Sequence, residues 1–216
     1  MKKWIGQTWL RAAGWTLEGS APTEQRYVLI AAPHTSNWDL PFMLACSYIY
    51  DLPMHWMGKD TLFKPPLGWL LKPLGGIAID RSKPGGVVAQ FVDRFSEMAK
   101  NGEGFVLAVP AEGTRGKQSH WKSGFYHIAS AANVPIALSY LDWKTKRTGI
   151  GRMIYPSGDI KADMDLIRQA LGEETFADRP GGDGEGAQPL IDSVPFCCTP
   201  LTLPSMPSCL NAIRFM

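Results

Sequence analysis

Short continuous apolar runs alternate along this chain with stretches in which apolar residues recur every three or four positions. Residues 27–32 (Tyr-Val-Leu-Ile-Ala-Ala) form an apolar run closed by Pro33, the pattern of a buried strand. Residues 54–58, 77–79, 104–109 and 135–141 repeat it, and residues 151–155 offer a last strand. Between these runs, residues 40–50 are long and apolar enough for a helix, with Ser36, Asn37 and Asp39 as candidate N-caps. Val88, Phe91, Val92, Phe95 and Met98 place a second helix across residues 87–100, and residues 123–132 read as a third. Residues 67–74 make a short apolar helix or turn. This alternation predicts an α/β fold, a single domain whose mixed, mainly parallel sheet is flanked by helices.

The two ends differ from this middle. In residues 1–15, Ile5, Trp9, Ala12 and Ala13 share one helical face, flanked by Trp4 and Trp15 and accompanied by Lys2, Lys3 and Arg11. Such a helix either lies in the headgroup region of a membrane or packs on its own domain, and amphipathicity alone does not separate the two. Residues 18–26 are polar, contain Pro22 and read as a loop. From about Arg179 a glycine-rich run and then prolines at 189, 195, 200, 204 and 207 leave no helical or strand period. The organisation expected is an amphipathic N-terminal helix (residues 1–20), a central domain (21–178) and an irregular tail (179–216).

Composition narrows the function. The chain of 216 residues carries a net charge of +2, too mild a balance to argue for nucleic acid. Residues 1–122 hold 14 basic and 10 acidic side chains, whereas residues 123–216 hold 8 and 10, so the excess cations lie in the half with the motifs. That suits an anionic ligand or a membrane surface. All 8 tryptophans fall in the first 143 residues, and tryptophan favours places where one end is apolar and the other wet. No apolar stretch of membrane-spanning length and no signal-peptide pattern is seen, and Cys46, Cys197, Cys198 and Cys209 lack metal-ligand spacing. A reduced, cytoplasmic-side protein without a metal site is the expectation.

The candidate chemistry starts at His34, which follows the first strand, with Asp39 five positions on at the start of the helix. Folded back on each other across that turn, the carboxylate accepts from one imidazole nitrogen and leaves the other free as a base. The plain alternative is a histidine that closes a strand and an aspartate that caps a helix. Arg81 and Arg115 also end strand-like runs, so all three side chains can converge on one sheet edge, where α/β sheets bind ligands. Two converging arginine forks suit phosphate oxygens, although each can equally form a surface ion pair with Asp80 or Glu112. Glycines at 75, 76 and 113 permit close backbone approach to a ligand. No P-loop or dinucleotide fingerprint is present. His55 reads as a packed strand histidine. His120, His127, Lys117 and Lys122 surround the helix at 123–132 and form either an anion site or a solvated face.

In order, His34-x4-Asp39, then Gly75-Gly76-Ile77-Ala78-Ile79-Asp80-Arg81, then Glu112-Gly113-Thr114-Arg115, then Val134-Pro135-Ile136 resemble the four blocks of the glycerolipid acyltransferases, the lysophosphatidic acid acyltransferase family. The likeness spans about residues 27–141, and it is the His-x4-Asp plus Glu-Gly-Thr-Arg combination that is specific. The resemblance implies a glycerol-3-phosphate acyltransferase-like fold for the central domain. His34 then looks like the general base that takes the proton of an acceptor hydroxyl, and Asp39 like its orienting carboxylate. Arg81 and Arg115 look like phosphate ligands, with Glu112, Gly113 and Thr114 shaping their site. Pro33, Ala78, Gly116 and Leu138 depart from the family's usual residues, and none is a group carried over.

The implied activity moves a fatty acyl chain to the hydroxyl of a lysophosphatidic acid-like glycerolipid, as in phospholipid biosynthesis or remodelling. Acyl-coenzyme A or acyl carrier protein is the implied co-substrate, with no separate cofactor, and the expected place is peripheral on the cytoplasmic side of a membrane. A lipid hydrolase or transacylase using the same His–Asp pair, and a non-catalytic lipid-binding protein, are the alternatives in view.

Overall fold

The computed structural model describes residues 2–31, 38–79, 86–111 and 121–171. Within them, one sheet contains β1 (Thr16–Glu18), β2 (Arg26–Ala31), β3 (Met54–Lys59), β4 (Gly76–Ile79), β5 (Phe105–Pro110), β6 (Ile136–Asp142) and β7 (Arg147–Ile154). The spatial order is β1-β7-β6-β2-β5-β3-β4. β6, β2, β5, β3 and β4 run parallel, β7 reverses against β6, and β1 runs with β7. The helices are α1 (Lys2–Ala13), α2 (Asp39–Tyr50), α3 (Leu67–Leu71), α4 (Gly86–Lys100), α5 (Gly124–Ala132) and α6 (Ile160–Leu171). This is the mainly parallel, helix-flanked sheet that the alternating pattern predicts.

β2 is central, and Tyr27, Val28, Leu29 and Ile30 are all buried, because a parallel strand covered on both faces needs apolar side chains on both. Val28 and Ile30 join Phe105, Leu107, Ile136 and Leu138 under α4, α5 and α6. Tyr27 and Leu29 point the other way, into a cluster with Met54, Trp56, Val106 and Ala108 beneath α2. A smaller cluster of Leu10, Trp15, Phe42 and Ala45 joins α1 to α2. The molecule is therefore three layers, with α1 lying along α2.

Four local features differ from the sequence expectations. The helix at the N-terminus ends at Gly14 (φ +72°), where Trp15 N–H donates to Leu10 O at 2.8 Å and Gly14 N–H to Arg11 O at 3.1 Å, a glycine-terminated cap. It docks through Gly6, Leu10 and Ala13, with the Trp9 ring meeting Phe42 by its edge, whereas Ile5 and Trp4 stay exposed. Residues 16–18 pair as an edge strand with β7, too short to show a period. The last strand starts at Arg147, four residues before the expected 151. Finally, α6 was not foreseen: Asp159 caps it, its Oδ1 accepting from Lys161 and Ala162 N–H at 3.0 and 3.1 Å, and Met164 and Ile167 bury its inner face. The expected tail from Arg179 lies outside the described residues.

Candidate active site at the carboxyl edge of the sheet

Parallel strands share an edge at which all their carboxyl ends lie. β2 ends at Ala31, paired with Pro110 at the end of β5, so the chain leaves for residues 32–37 and for residues 112–120 from adjacent strand ends. β4 ends at Ile79, paired with Lys59 of β3, and β3 in turn pairs with β5. Its exit toward residues 80–85 is thus on the same edge, two strands or about 10 Å from β5. His34, Arg81, Glu112, Gly113, Thr114 and Arg115 all lie outside the described residues, as does Ser36. What the fold fixes is that the strands preceding these segments bring the chain to one edge.

Asp39 is the site residue that the structure describes. It is the first residue of α2, preceded by Trp38 at the N-cap position without a side-chain cap bond. Asp39 is accordingly not the N-cap that the sequence allowed; Asn37, like Ser36, lies outside the described residues. A carboxylate in the first helical turn is favoured by the helix dipole. The residue is 4% exposed, and its Oδ1 accepts a hydrogen bond from Trp143 Nε1–H at 3.2 Å. Trp143 follows directly on the end of β6, the parallel strand beside β2.

Around this pair stands an aromatic cluster. Phe42, one turn along α2, lies 5.2 Å from Trp143 and 4.4 Å from Trp15 between ring centroids, and Trp15 meets Trp143 edge-on at 5.0 Å. Trp9 reaches Phe42 at 6.0 Å. Sequence reasoning did not connect Trp143 to Asp39, because the two are 104 positions apart and no local pattern links them.

Other candidates have structural roles. Gly75 and Gly76 sit at the amino end of β4, on the edge opposite Ile79, so they do not open a ligand site. A Cβ at Gly75 (φ +84°) would strike Met54 O, and one at Gly76 would strike the Phe63 ring, so these glycines let the α3 turn close onto β3. His55 stacks on Phe105 at 4.7 Å with Nδ1 3.1 Å from Pro53 O, and burial holds its pKa below the usual imidazole value, as expected for a packed histidine. His127 is exposed on α5, Lys122 is exposed beside it, and His120 and Lys117 lie outside the described residues. Burial pushes the Cys46 thiol up to about 11, which leaves it protonated and a poor nucleophile at neutral pH. Among the described residues no cluster of metal-ligating side chains occurs.

Three comparisons bear on this arrangement. A family model described as Acyltransferase matches residues 15–141, more than half of the chain and the interval from Trp15 to Leu141 within β6. A 1-acyl-sn-glycerol-3-phosphate acyltransferase of Pseudomonas aeruginosa is 28% identical over 147 residues, covering 62% of this chain and 55% of that protein; the chain thus spans little more than half of that relative's length. The crystal structure of the 1-acyl-sn-glycerophosphate (LPA) acyltransferase PlsC from Thermotoga maritima matches with a TM-score of 0.55 at 20% identity. That match covers 83% of this chain and 79% of the other, a likeness of fold.

Proposed function

The chain belongs to the acyltransferase family, and from that premise we propose that it moves a fatty acyl group from a thioester to the hydroxyl of a lysophosphatidic acid-like glycerolipid. The donor is acyl-coenzyme A or acyl carrier protein. In this reading His34 removes the acceptor's hydroxyl proton as the oxygen attacks the thioester carbonyl. The C–S bond then breaks, an ester forms, and the proton passes to the departing thiolate. Asp39 orients His34 and stabilises the imidazolium while the proton is held, and Arg81 and Arg115 take the acceptor phosphate. What supports the reading above all is that β2, β4 and β5 deliver all these segments to one edge, beside a buried Asp39.

A peripheral, cytoplasmic-side place on a membrane belongs to the same proposal. Trp4, Ile5, Trp9, Trp38, Leu62, Leu67, Trp69 and Leu70 are exposed, all on α1, α2, α3 and their connections. Lys59, Lys64 and Lys72 are exposed beside α3. Indoles and leucines interleaved with lysines suit an anionic lipid interface, which also holds the acyl chains of both substrates. No helix among the described residues is long and apolar enough to cross a membrane.

The test is thiol release from a long-chain acyl-coenzyme A, with and without lysophosphatidic acid, for the parent and for His34→Ala. Release that requires the acceptor and falls about 100-fold or more in the variant, the scale of lost general-base catalysis, is expected. Release without an acceptor would instead identify a thioesterase. If neither coenzyme A nor carrier-protein donors react while lysophospholipid binding persists, the chain is a lipid-binding protein.

A further inference from the structure

We propose that Trp143 is a positioning residue for acyl transfer, acting through Asp39. The inference rests on the role given to Asp39 above and adds a residue outside the motif that carries the resemblance. An aspartate's χ2 is a broad sp³–sp² torsion, so packing alone leaves the carboxylate plane poorly fixed. A hydrogen bond to one oxygen sets that plane, and the Trp143 indole N–H supplies it at 3.2 Å to Oδ1. The bond is charge-assisted and lies against a residue only 4% exposed, where water competes little.

The donor is itself held from two directions. Its ring makes edge-on contacts with Trp15 (5.0 Å, 86°) and Phe42 (5.2 Å, 77°), and these two meet each other at 4.4 Å with their planes tilted by 37°. Its backbone opens the β6–β7 turn, which Asp142 fixes by accepting from Lys144 N–H at 2.9 Å and from the Thr145 hydroxyl. The indole thus ties the end of β6 to the start of α2 across the carboxyl edge. It plays for the carboxylate the part that the carboxylate plays for the imidazole. At 40% exposure Trp143 leaves room for a smaller ring without collapse of the core.

The measurement is a double-mutant cycle on acceptor-dependent thiol release, using Trp143→Phe in the parent and in Asp39→Ala. Phenylalanine keeps an aromatic ring in the cluster and removes the N–H. In the parent background kcat should fall about tenfold with KM little changed, the scale of one hydrogen bond to a charged group. In Asp39→Ala, where no carboxylate remains to be oriented, the same change should cost less than about twofold. Equal losses in the two backgrounds, or parental kcat in Trp143→Phe, would overturn the assignment. A loss confined to KM would overturn it too, because it would place the indole on substrate. A parent without transfer activity would overturn the function proposed above, and this assignment with it.

Discussion

Asp39→Asn separates the catalytic role proposed for the carboxylate from what it does for the fold. Asparagine has nearly the same volume, and its side-chain oxygen still accepts the Trp143 N–H that now reaches Oδ1. Loss of a negative charge in the first turn of α2 costs about 0.3–1 kcal/mol of dipole interaction. Removing a charge from a site 4% exposed returns part of its desolvation cost. The two effects oppose each other, so the melting temperature should stay within about 4 °C of the parent's, given a shift of about 2–4 °C per kcal/mol for domains of this size.

Activity should respond quite differently. If Asp39 stabilises an imidazolium with charge centres about 5 Å apart, an effective dielectric of about 20 gives an interaction of about 3 kcal/mol. That corresponds to about 200-fold in kcat, with a further loss if the amide selects the wrong imidazole tautomer. Initial rates of acceptor-dependent thiol release, beside thermal melts of the same samples, read both quantities. Activity within threefold of the parent would refute the electrostatic role. A drop of more than about 10 °C would show that the carboxylate holds the fold and that any lost activity is secondary.

Three further outcomes follow from other parts of the molecule. Gly6→Leu should destabilise by about 3 kcal/mol in denaturant titrations, because a Cβ at Gly6 already strikes Ala45 O and Ile49, and overpacking adds to lost Leu10 burial; unchanged stability would mean that α1 does not dock as described. Burial pushes the Asp163 carboxyl up, but hydrogen bonds from Ser157 N–H and the Tyr126 hydroxyl, at 2.7 and 2.8 Å, bring it net below its usual value. A depressed folded-state value gives stability that is present above the unfolded pKa of about 4 and is lost as pH falls through the folded value. Melting temperatures should therefore decline below about pH 4 in the parent and less steeply in Asp163→Asn, and parallel curves would refute the assignment. Trp4→Ser combined with Trp69→Ser, at positions 69% and 74% exposed, should leave stability unchanged and weaken binding to anionic vesicles about tenfold or more. Parental vesicle binding would exclude these indoles from a lipid interface.

The elements that could be read from sequence are those whose environment imposes a pattern along the chain. β2 and β5 are covered on both faces, so they appear as unbroken apolar runs. α4 buries Phe91 and Phe95 along one stripe and shows the helical period. β1 has three residues and borrows its order from β7, which no local window reveals. α6 did carry a signal, Asp159 as cap with Met164 and Ile167 in step behind it. On α1 the periodic apolar residues fit a packed face and a membrane face alike, and what decides the docking is close approach to α2, which demands the smallest side chain, Gly6, and leaves Trp4 and Ile5 outside. Of the site, the order of the motifs and their placement after strands could be read locally. The contact between Trp143 and Asp39 could not, because it exists only once β6 lies beside β2.

The concentration of tryptophan early in the chain has a topological consequence. From β2 through α2 to β3, and through α3 to β4, the chain moves across the sheet in one direction. From β4 through α4 to β5, and through α5 to β6, it moves back. Right-handed crossovers put helices on opposite faces when the direction of travel reverses. One reversal, at β4, therefore assigns α2 and α3 to one layer and α4 and α5 to the other, as the two core clusters confirm. Sequence before β4 becomes a face of the molecule, and α1 joins that face by docking on α2. The exposed indoles Trp4, Trp9, Trp38 and Trp69 fall on it because of where they stand in the chain. The same layer contains Asp39, whose helix starts at the carboxyl edge. The carboxyl edge at which the proposed site lies is thus bordered by apolar exposed surface on the α1–α3 side, which is the arrangement that the proposed transfer to a lipid acceptor would require.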